Sequence, residues 1–267
     1  MRMRWGVVTA VAVVAVAGAC TTTRARDTRE PAPRLAGTSA TVSDGKTTFT
    51  VRTEQRTTVI SAPGRSQQVI PGRYVLPVIS ADGTVGGLAP DGGTLALASA
   101  AHSSPSRFAL LGTRLDRPAT FVELTGQFSF DALSRTGSML YLVQHLPPAS
   151  SGRYSVRVYD VAQRVLRPEP IADKQNLEPV MSGYPMARVT SRSGSWVFTL
   201  YRSTKHPFIH ALNVDDAFAV CLDLPRTARH NDAWQLTLGS DGATLHATHD
   251  DVATAVDVRQ LLAGERR

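Results

Sequence analysis

Two groupings in this chain carry the residue types that bind metals or move protons. His206-Pro207-Phe208-Ile209-His210 spaces two imidazoles four residues apart, a pattern that aims both at one ion when it lies on a helix. Pro207 and the alternation behind it predict the start of a strand instead. On a strand the two side chains stand roughly 13 Å apart at about 3.3 Å per residue, too far for one ion. His246-Ala247-Thr248-His249-Asp250-Asp251 is denser in ligand types. If 244–249 is a strand, His246 and His249 point to opposite faces, so the segment reads as a hairpin with solvated charges and no metal site is expected. Gly-x-Ser-x-Gly, His-Glu-x-x-His, Cys-x-x-Cys, phosphate-loop, dinucleotide and calcium-loop patterns do not occur, and no serine sits beside a recognisable base. No catalytic residue and no cofactor are assigned. Asp91, Asp241, His246 and Asp250 are the first acids and bases to weigh if the chain is an enzyme.

The two cysteines have different settings. Cys221 lies in Phe218-Ala219-Val220-Cys221-Leu222, an apolar strand-like run where cysteine acts as a small buried hydrophobe. Cys20 directly follows a segment with the three parts of a secretory signal: basic Arg2 and Arg4, an apolar stretch from Trp5 to Ala17, and small residues Ala17, Gly18 and Ala19. From Trp5 to Ala19 the segment measures roughly 22 Å as a helix, short of the roughly 30 Å of bilayer hydrocarbon. Residues 1–19 are therefore expected to be removed, leaving Cys20 as the first mature residue.

With the signal gone the chain is long enough for one large domain with a sizeable core. The formal charge of +7 is spread along the chain, with a modest excess in the tail at Arg24, Arg26, Arg29 and Arg34. There is no clustered basic stripe with stacking aromatics, so nucleic acid is not an expected partner. A basic tail beside an anchor suits anionic headgroups, each residue adding on the order of 1 kcal/mol near the surface. Residues 20–40, rich in Thr, Arg, Pro and Ala without periodicity, read as a tether. Residues 263–267 read as a short tail.

Between them runs a repeat. Ser43-Asp44-Gly45, Pro90-Asp91-Gly92, Arg135-Thr136-Gly137, Arg192-Ser193-Gly194 and Ser240-Asp241-Gly242 each precede an apolar run, with the glycines 47, 45, 57 and 48 residues apart. That period is the length of one propeller blade. The runs Phe49 to Val51, Leu95 to Ala98, Met139 to Val143, Trp196 to Tyr201 and Leu245 to Thr248 are expected to be strands, several buried on both faces. Alternating strands follow at Ser155 to Tyr159 and Val252 to Val256. Aspartates close three such strands, at Asp160, Asp215 and Asp257. Helical periodicity is confined to Val258 to Leu262. Tyr154, Tyr159, Trp196, Tyr201 and Trp234 are expected in core or inter-blade packing. The fold class is all-β, a β-propeller of four to five blades over 41–262, with a β-sandwich as the rival. The final unit lacks an outer strand, which an N-terminal strand could supply.

The turn-and-strand pattern resembles WD40-like, TolB-like and YncE-like bacterial propellers, although Thr136 and Ser193 replace the turn aspartate. The stretch from Pro207 to Pro225 resembles actinobacterial exported proteins of this kind. Ala17-Gly18-Ala19-Cys20 resembles the lipobox of bacterial lipoproteins, with Ala17 where leucine is most common. That resemblance implies a diacylglyceryl-modified Cys20 and a domain anchored on the extracytoplasmic face of the cell membrane, with plain secretion as the alternative. A non-catalytic binding module for an envelope protein or glycan is expected, with loops at 144–154 and 173–184 as contact surfaces. The alternative is an extracytoplasmic hydrolase or lyase acting on envelope sugars or lactones through channel His and Asp residues.

Overall fold

The five runs behind the glycine turns each become the second strand of an antiparallel meander. The computed structural model describes residues 39–101, 104–148, 151–172, 179–203, 206–225, 234–249 and 252–263. The first sheet runs β1 (Ser39–Ser43), β2 (Thr48–Thr53), β3 (Thr57–Ser61), β4 (Gln68–Pro71), and the second β5 (Tyr74–Val75), β6 (Thr94–Ser99), β7 (Ser106–Gly112), β8 (Thr120–Leu124). The third comprises β9 (Phe128–Leu133), β10 (Met139–His145) and β11 (Arg153–Asp160), with an outer edge made by β12 (Val165–Leu166) and β13 (Met181–Ser182). The fourth is β14 (Tyr184–Thr190), β15 (Trp196–Arg202), β16 (Phe208–Asn213), β17 (Phe218–Asp223). The fifth is β18 (Gln235–Leu238), β19 (Thr244–His249), β20 (Val252–Asp257), followed by α1 (Arg259–Ala263).

Apolar clusters join each sheet to the next, which is the packing of a β-propeller rather than of two stacked sheets. Phe49 and Ile60 meet Leu97 and Leu111 between the first two sheets, and Phe108 meets Leu140 and Leu142 between the next two. Tyr141 and Val156 meet Val197 and Leu212, and Phe198 and Ile209 meet Leu236 and Leu245. The second strands serve both neighbours, so β15 is buried from Trp196 to Tyr201. Burying each such side chain contributes about 1.5–3 kcal/mol. The aromatics named from sequence are buried as well.

The turns that set the period all place glycine in the left-handed region, with φ from 67° to 83°, where other residues are strained. They face one end of the propeller and interlock. Asp91 N–H donates to the Arg135 carbonyl at 3.1 Å, and Gly194 lies so close to Pro90 that a Cβ would come within 2.3 Å of it.

Closure by an N-terminal strand is described for β1 alone, since the residues before Ser39 lie outside the described residues. The chain enters its first sheet at Ser39, and the tight Asp44-Gly45 turn returns β1 directly onto β2, so β1 does not complete the last sheet. The fifth sheet has three described strands, and Leu261 and Leu262 near α1's end pack on its apolar cluster. The other face of that sheet carries the exposed cross-strand row Thr237, His246 and Ala255. Among the described residues, no helix is long and apolar enough to cross a membrane.

The second sheet carries one irregularity that matters for the site. Its inner strand is split: β5 pairs with Ser99 and Ala98, the pairing resumes at Leu88 with Leu95, and between them the chain leaves as a hairpin. Val78 bridges Val85, and Ser80-Ala81-Asp82-Gly83 makes the tip, with Asp82 Oδ1 accepting from Thr84 N–H at 2.9 Å. Gly87 is required where the strand resumes, because a Cβ there would stand 2.4 Å from the Ala96 carbonyl oxygen.

Candidate functional site

The hairpin crosses the centre of the propeller. Its tip passes β9 and reaches β14, where Ala81 N–H donates to the Pro185 carbonyl at 3.0 Å and Asp82 N–H to the Met186 carbonyl at 3.1 Å. The register of β14 against β15 slips between Pro185 and Ala187, so Met186 is a bulged residue whose carbonyl is free of the ladder and turned to the hairpin. Two cavities result. One of about 350 Å³ lies toward the glycine turns, beside Asp44, Gly87 and Pro90. The other, of about 340 Å³, opens at the opposite end among Ser129, His145, Gly152, Tyr154 and Tyr184. Ile79, Phe130, Asp131 and Arg188 touch both.

Asp131 and Arg188 form the floor. The β9 ladder slips between Phe130 and Ala132, which makes Asp131 the bulged residue of its strand, and bulges re-aim side chains in this way. Arg188 Nη1 donates to the Asp131 carbonyl oxygen and Nη2 to Asp131 Oδ1. The two side chains are only 5% and 2% exposed. Removing such a pair from water costs several kcal/mol per ion before their attraction offsets it. Asp131 Oδ2 and Arg188 Nε are nevertheless buried without a hydrogen-bond partner. Buried polar groups are nearly always satisfied, so this pair is an exception within the fold, with both atoms closed to solvent.

The walls add further polar atoms to an apolar lining. Ser129 Oγ lies 2.9 Å from His145 Nε2 across the β9–β10 pair. Tyr154 and Tyr201 stack with centroids 5.1 Å apart, and burial pushes both phenols well above their ordinary pKa, keeping them neutral. The Arg202 guanidinium lies over the Tyr184 ring, 5.5 Å from its centroid. The arrangement can hold a compact polar ligand between hydrogen-bonding groups and apolar walls.

The acids and bases singled out from sequence do not gather here. Asp91 Oδ1 accepts from Gly93 N–H at 2.6 Å, inside its own turn. Asp241 is a turn residue too: the Thr244 hydroxyl and the Ala243 and Thr244 N–H groups hold its carboxyl down to about 2. His246 is exposed on β19, whereas His249, on the opposite face as expected, is 2% exposed against Trp234. His206 lies 3.5 Å from Asp223, while His210 is buried edge-on to Tyr201. Cys221 is partly buried against the third-to-fourth cluster. Asp250 and Cys20 lie outside the described residues.

The expected contact loops fare differently. His145, Gly152 and Tyr154 come from 144–154, and Gly183 and Tyr184 from the end of 173–184, and together they rim the second cavity; residues 149, 150 and 173–178 lie outside the described residues. Asp131, Arg188, Ser129 and His145 were not singled out. A signal for the first two existed, a lone charge inside each of the apolar runs Phe128 to Leu133 and Tyr184 to Val189.

No protein-family model and no curated relative matches the sequence. Among solved structures, the chain resembles hydrazine synthase of Kuenenia stuttgartiensis at 13% identity, with 84% of this chain and 76% of that one covered and a TM-score of 0.46. It resembles TolB of Acinetobacter baumannii at 16% identity over 72% of this chain and 44% of that one, with a TM-score of 0.39. It resembles the Dos1 propeller at 10% identity over 80% and 52%, with a TM-score of 0.49. The fold class rests on the sheets and the packing between them, and the chain is an all-β protein of the propeller class.

Proposed function

We propose that this chain is an exported lipoprotein of bacterial, actinobacterial type, held by a lipid on Cys20 at the outer face of the cell membrane. Its propeller binds an envelope protein or glycan without transforming it. The observation that carries the binding role is the cavity of about 340 Å³ at the end opposite the turns, lined by Ser129, His145, Tyr154 and Tyr184. Support for the address comes from Ala17-Gly18-Ala19-Cys20 and the apolar stretch before it. Two experiments test the reading. A fatty-acid probe fed to cells should label the wild type and not Cys20→Ser; equal labelling refutes the anchor. A photo-crosslinking residue at Tyr184 should capture an envelope component that the same probe at exposed Asp44, at the other end, does not. Equal capture at both ends refutes the site.

A second reading has one observation in its favour. Ser129 Oγ and His145 Nε2, 2.9 Å apart at the cavity wall, have the spacing of a nucleophile and its base, which keeps the hydrolase alternative open with different residues from those the sequence offered. Turnover of an ester, glycoside or lactone panel, lost in His145→Ala with folding intact, would establish it; binding without turnover would retire it.

A further inference from the structure

We infer that the mouth end of the propeller, opposite the glycine turns, docks on the anionic headgroups of the bilayer that holds its lipid. The inference rests on the anchored reading above and names the face turned to the membrane. The meander decides which side chains gather there. Connections from second to third strands and from sheet to sheet lie at this end. Arg56 between β2 and β3, Arg73 between β4 and β5, and Arg153 at the start of β11 therefore belong to it. Gly72 N–H donates to the Arg56 carbonyl at 2.8 Å, and Ala100 N–H to the Arg73 carbonyl at 2.9 Å, which holds these connections side by side. Arg153 falls between Gly152 and Tyr154 of the cavity rim, and the Arg202 guanidinium lies over Tyr184.

Arg56, Arg73 and Arg153 are exposed, and among the described residues no carboxylate pairs with any of them. The acids of this end are engaged elsewhere: Glu54 with Arg52 at 3.0 Å, Glu123 with Arg107 at 2.7 Å, and Asp223 beside His206 at 3.5 Å. The described mouth end thus carries a surplus of positive charge. The turn end is mixed: Asp44 stands near Lys46, Arg114 and Arg117 flank Asp116, and Arg135 pairs with Asp215 at 2.9 Å. The chain also arrives at the mouth. β1 runs from Ser39 to the Asp44-Gly45 turn, so whatever precedes Ser39 joins the domain on its basic face. If residues 20–38 are the tether expected from sequence, they span roughly 25 Å as a flexible coil. That is well beyond the roughly 8 Å over which charges act at physiological salt. The lipid therefore brings the domain to the surface, and the arginines decide which face meets it. The cavity of about 340 Å³ opens on that same face, so its ligand is met at the level of the headgroups.

Partition of the mature chain carrying Cys20→Ser onto vesicles tests this, because without an acyl chain only the protein surface is read. The tail arginines are present in every arm. Vesicles of phosphatidylcholine and phosphatidylglycerol in equal parts should bind the chain, and pure phosphatidylcholine should not. The combined variant Arg56→Gln, Arg73→Gln, Arg153→Gln should weaken binding on the order of 100-fold, from about 1 kcal/mol per basic residue and tenfold per about 1.4 kcal/mol. Lys46→Gln with Arg114→Gln and Arg117→Gln removes as much charge from the turn end and should weaken binding less than about threefold, since screening isolates that end. All six side chains are exposed, so both variants should fold. Equal losses in the two variants, or equal binding to neutral vesicles, would overturn the inference. The fatty-acid label on Cys20 is read separately. Label present with equal losses keeps the anchor and removes the docking face; label absent with the loss confined to the mouth variant keeps the face and removes the anchor.

Discussion

The two ends of the propeller are built on opposite plans. At one end, five turns repeat the same geometry and interlock through backbone contacts such as Asp91 to Arg135. At the other, unlike segments converge: the end of β10, Gly152, Gly183 and Tyr184, over two bulged inner strands. Repetition suits a scaffold, since each turn needs only one glycine and one short polar side chain to be correct. A site needs particular groups at particular depths, so it is made where the repeat is broken. Polar atoms at the turn end are consumed by their own loops, while the mouth gathers Ser129, His145, Tyr154 and Tyr184 around open space.

Variants can break or sharpen that contrast. The largest effect is expected for Arg188→Met alone, which leaves the Asp131 carboxylate buried and unpaired; denaturant unfolding should show a loss of about 3–5 kcal/mol. A loss under about 1 kcal/mol would mean that the mouth is not held by this pair. Next come two glycines of the turn end. Gly194→Ala puts a methyl 2.3 Å from the Pro90 Cβ at φ 77° and should cost about 2 kcal/mol or more. Gly45→Ala, at φ 83° with open space around it, carries backbone strain alone, on the order of 1 kcal/mol. Equal losses would show that the turns do not interlock as described.

The smallest effect concerns pH. With its carboxyl held down to about 2 against an ordinary 3.8, Asp241 is more acidic folded than unfolded. Its contribution is therefore complete above about pH 4 and is lost as pH falls through about 2. Asp241→Asn should flatten the acid limb of a stability profile between those values; an unchanged limb would show that this exposed turn does not couple to unfolding.

Most of the scaffold was legible in the sequence because its determinants are local. Glycine at positive φ, the aspartate that bonds its own turn, and the apolar runs of Leu95 to Ala98 or Trp196 to Tyr201 declare themselves within a few residues. The site was not, because its determinants are distant: Asp131 and Arg188 meet across two sheets, and no spacing rule joins them. The hairpin left a trace that was not taken up. Ser80-Ala81-Asp82-Gly83 is a further turn of the repeated type, placed off the period just before Pro90-Asp91-Gly92. An off-period turn in a regular array marks an inserted element, and here the insertion fills the centre. Residues before Ser39, where a closing N-terminal strand could also arise, lie outside the described residues; within them the tight turn at Gly45 pairs β1 with β2.

The hairpin that ties Ala81 and Asp82 to β14 has a consequence for traffic. A propeller bored through its axis can pass a molecule from face to face, whereas this one is corked midway. A molecule entering beside Tyr184 meets the hairpin before the other chamber, so that doorway bears on its residence time. The chamber behind the cork is free to diverge without disturbing the other.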